Sequence, residues 1–248
     1  MSTLEIRNLS KSFGALRVSH DISISIGEGE CHALIGPNGA GKTTLIHQIS
    51  GVLRPDSGQI LLDGNDITGS SVSARVQAGL GRTFQITSVL PSFSVLENLA
   101  IAAQAKSGSS MRFLRDAALE VELNRIARTT LERVGLANRA DNPAADLSHG
   151  ELRLLELGIA LVAQPKFLLL DEPMAGLGRA EGMALVSLLA ELRATVPMLL
   201  VEHDMDAIFQ LATEVSVLVE GSIVAQGTPE DVRASPAARA AYLGGDAA

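Results

Sequence analysis

Residues 36–43 read Gly-Pro-Asn-Gly-Ala-Gly-Lys-Thr, and the reading of the fold starts from them. The run fits Gly-x-x-x-x-Gly-Lys-Ser/Thr, a loop that turns backbone N–H groups toward a chain of phosphates. A triphosphate carries several negative charges, and Gly36, Gly39 and Gly41 let the backbone curl close to them without a Cβ in the way. Lys42 then places a point charge on the terminal phosphate oxygens, and the Thr43 hydroxyl is suited to Mg²⁺. The nucleotide-contacting run expected from the pattern is Gly36, Pro37, Asn38, Gly39, Ala40, Gly41, Lys42, Thr43 and Thr44.

Working outward, residues 31–35 are a short apolar run that reads as a buried strand. Residues 42–49 read as the start of a helix, whose N-terminal N–H groups and dipole favour an anion. Toward the N-terminus, Leu4, Ile6 and Leu9 sit among polar residues as on a strand, and Ile22, Ile24 and Ile26 alternate with serines. Gly27-Glu28-Gly29 predicts a turn, residues 57–62 another strand, and Asp63-Gly64-Asn65-Asp66 the turn that closes it. From about residue 94 to 134 the apolar period becomes helical, with a loop expected over 106–110.

Beyond that, the apolar runs 167–170 and 198–201 flank a helix-forming stretch at 181–193, the order of a parallel sheet with crossover helices. Residues 215–219 and 223–226 flank Glu220-Gly221-Ser222 as a hairpin. Thr228-Pro229-Glu230-Asp231 reads as a capped helix start. The expected fold is α/β of the phosphate-loop nucleotide-hydrolase kind, a mixed core sheet with an N-terminal antiparallel β subdomain. Residues 1–87 and 147–248 would form this core, with an inserted α-helical subdomain over about 88–146.

Composition narrows the functional classes. With 248 residues and a net charge of −8, the chain is long enough for one large α/β unit and too acidic for a general nucleic-acid binder. Of the four lysines, Lys11, Lys42, Lys106 and Lys166, one sits in the phosphate loop. A lone cysteine, Cys31, has no internal disulfide partner and fits a reducing compartment. The mean hydropathy of +0.25 is high, yet the most apolar stretch, 152–170, is interrupted by Arg153, Glu156, Gln164, Pro165 and Lys166. With no basic-then-apolar leader, the sequence predicts a soluble chain that spends its apolar excess on a core or on partner surfaces.

The strand at 167–170 ends in Asp171-Glu172. Downstream of a phosphate loop, such a pair supplies a metal-binding aspartate and a carboxylate that polarises the attacking water. Just upstream lies Leu147-Ser148-His149-Gly150-Glu151. This segment resembles the Leu-Ser-Gly-Gly-Gln signature of ABC transporter ATPases and holds the same place relative to the two acids. It departs from that pattern at His149 and Glu151. Ala175-Gly176-Leu177-Gly178 also stands where many members carry Ser-Ala-Leu-Asp, which removes an aspartate that usually crosses the dimer interface.

The resemblance implies roles for further residues. His203, in Val201-Glu202-His203-Asp204, would be the switch histidine that meets the γ-phosphate. Gln85, in Arg82-Thr83-Phe84-Gln85, would reach Mg²⁺ and the water, and Phe13 would stack on adenine. Glu172, His203, Gln85 and Lys42 would thus be catalytic, and Thr43, Gln85 and Asp171 would hold the metal. Ser148 and Gly150 would face the nucleotide of a second ATPase chain in a head-to-tail dimer.

Arg-Thr-Phe-Gln, Leu-Ser-His-Gly, Ala-Gly-Leu, Val-Glu-His-Asp-Met and Ala241-Tyr242-Leu243-Gly244 are similar to the ATP-binding subunits of branched-chain (hydrophobic) amino acid importers. That similarity implies an ATP- and Mg²⁺-dependent cytoplasmic subunit on the inner face of the cell membrane. It would power uptake through two separate permease subunits and a substrate-binding protein. Rival readings are a lipopolysaccharide-export ATPase, an importer ATPase for urea, amides or aromatic acids, a DNA-repair or translation ATPase, and an ATP sensor without hydrolysis. Absence of a coiled-coil insertion or tandem halves argues against the third, and Glu172 with His203 against the last.

Overall fold

The computed structural model describes residues 2–83, 89–106 and 117–240. The chain opens with the hairpin β1 (Ser2–Phe13) and β2 (Leu16–Gly27), followed by β3 (Cys31–Ile35) and α1 (Lys42–Ser50). Next come β4 (Ser57–Leu62), β5 (Asn65–Asp66), α2 (Val72–Ala78) and β6 (Leu80–Arg82). The helical stretch holds α3 (Val95–Lys106), α4 (Ala117–Arg133) and α5 (His149–Val162). The chain then runs through β7 (Phe167–Asp171), α6 (Arg179–Arg193), β8 (Met198–Val201) and α7 (Met205–Leu211), and on through β9 (Glu214–Val219), β10 (Ser222–Gly227), α8 (Pro229–Ala234) and the short α9 (Pro236–Ala238).

Among the described residues the strands form an antiparallel sheet, β2-β1-β4-β5, and a six-stranded sheet, β10-β9-β3-β8-β7-β6. In the second sheet β9, β3, β8, β7 and β6 run parallel, and only β10 pairs antiparallel. The fold is thus the mixed α/β one expected. Parallel strands covered on both faces read as unbroken apolar runs, and β3, β7 and β8 are buried along their whole length. Successive side chains point to opposite faces. Phe167 and Leu169 join the core formed with α1 and the antiparallel sheet, while Leu168 and Leu170 join the core formed with α3 to α6.

The sequence reading needs three corrections. Asn65 and Asp66, expected as turn residues, pair with Leu62 and Leu61 as a short strand, because the reversal is made by Asp63 and Gly64 at positive φ. Lys106, expected in a loop, ends α3; the rest of that expected loop lies outside the described residues. Finally, α2 and β6 were not anticipated.

The reason for the last lies in Arg75. Its side chain is fully buried on α2 and donates to the carbonyls of Gln48, Ile49, Thr68 and Ser70. Two of these belong to the last turn of α1, where carbonyls lack intrahelical partners and favour a cation. An arginine therefore stands where helical periodicity would put an apolar residue. Arg75→Met removes the side-chain donors from all four carbonyls, of which that of Gln48 keeps the Gly51 N–H (3.2 Å), so it destabilises the protein by about 3 kcal/mol. Urea denaturation of wild type and variant checks this as a lower midpoint at unchanged slope.

Candidate functional site

The parallel register brings three chain segments to one sheet edge. Leu34 and Asp171 both pair with Val201, so β3, β8 and β7 end side by side, where ligands of open α/β sheets bind. The loop after β3 is residues 36–41. At its end Gly41 takes φ 108° as N-cap of α1, and a Cβ there would sit 2.6 Å from the Val18 carbonyl. Only glycine fits both demands. The loop is propped from behind, since Gly221 in the β9–β10 turn donates to the Ala40 carbonyl (2.9 Å) and accepts from His20 (2.7 Å). Asn38, Gly39 and Thr43 face solvent.

Lys42 Nζ donates to the Gly36 (2.6 Å) and Pro37 (3.1 Å) carbonyls of its own loop. Burial pulls its pKa down, and the carboxylates of Glu172 and then Asp171 push it back up, so all three charges share one field. Asp171 is buried, and its Oδ2 accepts no hydrogen bond among the described residues. Burial raises its pKa, opposed first by Arg82, whose Nη2 lies 3.6 Å from Oδ2. Glu172, half-buried, takes a left-handed conformation with φ 48°, a cost that non-glycine residues bear mainly at functional sites. Its N–H donates to the Val201 carbonyl (2.8 Å), which ties the acid pair to the end of β8.

After β8 comes the turn bearing His203, an exposed side chain at the edge. Asp204 caps α7 by accepting from Asp206 and Ala207. Between Val201 and His203, Glu202 is buried and accepts backbone N–H bonds from both Met174 and His203. Sequence reasoning passed over Glu202, since an acid at a strand end ordinarily meets solvent.

Ser148 caps α5 by accepting from Glu151, and Glu151 returns a bond to the Ser148 N–H. Arg139 holds the same carboxylate at 2.7 Å and, with the cap, pulls its pKa down to about 2. The departure at Glu151 is thus a capping acid with its own counter-ion. Gly150 is buried against the Glu181 side chain, where an added Cβ would sit 2.5 Å from Oε1, and that carboxylate also accepts from the Gly178 N–H (3.0 Å). Gly178 thereby becomes the N-cap of α6 without an aspartate. No hydrogen bond or ion pair joins Ser148 or Gly150 to residues 36–44 among the described residues. Phe13 is 52% exposed on the β1–β2 hairpin, with Lys11 Nζ 5.7 Å from its ring centroid. Gln85 and residues 241–244 lie outside the described residues.

A glycine-rich loop at the end of a buried strand, with two carboxylates at the end of a parallel strand one further along the sheet, is the architecture of a phosphate-loop nucleotide hydrolase. Comparison with known proteins places it more narrowly. The chain belongs to the ABC transporter family, whose profile matches residues 19–175, and it is an ATP-binding, ATP-hydrolysing member. Residues 222–248 match the profile described as branched-chain amino acid ATP-binding cassette transporter.

The chain is 37% identical to the high-affinity branched-chain amino acid transport ATP-binding protein LivG of Salmonella typhimurium, over 97% of each chain. It is 32% identical to the lipopolysaccharide export system ATP-binding protein LptB of Escherichia coli, over 99% of each. A crystal structure of the ADP conformation of an ATP-binding cassette of an ABC transporter superposes with a TM-score of 0.87 at 30% identity, covering 98% of this chain and 99% of that one.

Proposed function

We propose that this chain is the ATP-hydrolysing subunit of an importer for branched-chain or other amino acids, peripheral on the cytoplasmic face of the cell membrane. The observation that carries the reading is the likeness to LivG along 97% of both chains. The match of residues 222–248 to the amino-acid-transporter profile agrees with it. The export reading draws less support, from 32% identity to LptB. Among the described residues no helix is long and apolar enough to cross a membrane. The solute pathway is assigned, on the likeness to LivG, to separate permease subunits served by a substrate-binding protein.

The chemistry assigned to the chain's residues is phosphoryl transfer to water. Lys42 exchanges its loop carbonyls for phosphate oxygens, and the N–H groups of 36–44 surround the anion. Glu172 accepts the proton of the attacking water, and His203 meets the γ-phosphate from β8. Thr43 and Asp171 fit Mg²⁺, since Asp171 Oδ2 is a buried acceptor without a hydrogen bond. No cluster of three acidic, histidine or cysteine side chains forms a separate cage among the described residues. Held by Thr43 and Asp171, Mg²⁺ would supply positive charge against the phosphates. The N-terminus of α5 is free of the chain's own phosphate loop, and Ser148 and Gly150 are assigned to the ATP of a second, head-to-tail subunit. Gln85 is assigned to the water and metal, and Phe13 to the adenine.

A groove of about 360 Å³ between α2, β6, α3 and α5 is assigned to the permease. Val52, Val72, Val76, Ala102 and Ile159 line it, and Lys106 and Arg82 border it. Val52 is 56% exposed, and an open apolar groove of this kind marks a partner surface. Uptake by cells lacking this chain tests the reading. Transport of labelled leucine, isoleucine and valine is lost and returns with the wild-type chain, but not with Glu172→Gln. Loss confined to urea, amides or aromatic acids moves the solute class. Unchanged uptake with lipopolysaccharide held at the inner membrane sinks import altogether.

A further inference from the structure

Glu202 is 1% exposed, a position where a carboxylate is costly unless its oxygens are satisfied. The partners that satisfy it come from two separate turns. Oε1 accepts the N–H of Met174 at 2.9 Å, in the turn just after Asp171 and Glu172. Oε2 accepts the N–H of His203 at 2.8 Å and of Asp204 at 3.3 Å, and lies 3.5 Å from His203 Nδ1. One oxygen thus holds the turn that follows the acids, and the other holds the turn that carries the histidine. The Glu172 N–H bond to Val201 fixes the same two segments one residue earlier, so the Glu202 carboxylate is the second tie between them.

We propose that Glu202 is a positioning residue for hydrolysis, its buried carboxylate locking the 173–175 turn to the 203–204 turn so that Glu172 and His203 address one γ-phosphate from fixed positions. The proposal rests on the ATPase reading above. A carboxylate suits the task because every partner is a donor, and an ionised acid is acceptor-only. An amide at this position would turn its NH₂ against one of those N–H groups. A shift of about 1 Å in a positioned group costs about 10²-fold in rate, whereas ATP affinity is set chiefly by the phosphate loop, which neither turn belongs to.

The test uses the full chain with Mg²⁺ and ATP, comparing wild type, Glu172→Gln, Glu202→Gln and Glu202→Asp. In Glu202→Gln, kcat falls about 10- to 100-fold while KM for ATP stays within about twofold. The amides of Met174, His203 and Asp204 exchange hydrogen faster. Glu202→Asp guards against a variant that fails to fold. It keeps the charge but withdraws the carboxylate by about 1.5 Å, so it stays near His203 and Asp204 and loses Met174. Only the Met174 amide then speeds up, and kcat again falls alone.

Wild-type kcat in both folded variants overturns the proposal. So does a loss of ATP affinity parallel to the loss of rate, which is the mark of a merely structural group. A wild type that hydrolyses no ATP removes the ATPase reading and this proposal with it. Active wild type, inactive Glu172→Gln and unchanged Glu202 variants remove this proposal alone.

Discussion

Glu172→Gln lowers the steady-state rate of ATP hydrolysis by about 10²- to 10⁴-fold, the usual worth of a positioned general base. ATP affinity stays within a factor of about two, because the change touches the water and not the phosphate cradle. The expectation follows from how the residue is held. Glu172 comes directly after a buried parallel strand, and its backbone sits at φ 48°. Its N–H is fixed to Val201 on the next strand. Such a backbone is maintained only where its surroundings over-determine it, and here both strands are rigid core elements. The amide is isosteric and keeps one acceptor oxygen, so the fold is preserved while the proton acceptor is lost. Steady-state phosphate release, with a nucleotide titration on the same sample, reads both quantities. A variant that hydrolyses ATP at the wild-type rate removes Glu172 from the role of base.

The place of the acid pair at a strand end is legible in the sequence because the information is local. An apolar run that ends in two acids, downstream of a glycine-rich loop, is written within a few residues of each strand end. Burial on both faces makes β8 an apolar run, β7 one that is apolar up to Asp171, and β3 one interrupted by His32, whose Nε2 pairs with Ser216 Oγ (2.8 Å). The Thr228 cap was legible for the same reason: Thr228 and Asp231 bond each other's backbone within one turn.

What escaped depends on partners distant in the chain. Arg75 looks like a surface residue until the end of α1 is seen against it. Glu202 looks like a solvated acid until Met174, 28 residues earlier, arrives at its carboxylate. The edge strand β6 is three residues long and carries no period that a sequence can show. It exists because Gly79, Leu80 and Gly81 lie along Lys166, Phe167 and Leu168. The Glu151 departure shows the opposite case. A local capping box was available at that spacing, and its ion pair with Arg139 required the fold.

Lys42→Ala weakens ATP binding by about 10- to 100-fold, the worth of one charge-assisted hydrogen bond at roughly 1.5–3 kcal/mol. Without nucleotide, Lys42 spends its charge on the Gly36 and Pro37 carbonyls, and burial already pulls its pKa down. A bound polyphosphate offers the ammonium a better acceptor at the same place, so the lysine's contribution is differential and appears on binding. The loss is larger for ATP than for ADP, because the lysine reaches both terminal phosphates of a triphosphate and only one of a diphosphate. Lys42→Arg does not restore affinity: a planar, forked guanidinium cannot replace a compact ammonium inside a curled loop. Calorimetric titration with ATP and with ADP separates these outcomes. Equal losses for the two nucleotides would place Lys42 away from the γ-phosphate. Wild-type affinity in Lys42→Ala would mean that residues 36–43 do not cradle the triphosphate at all, since no other lysine lies in that loop.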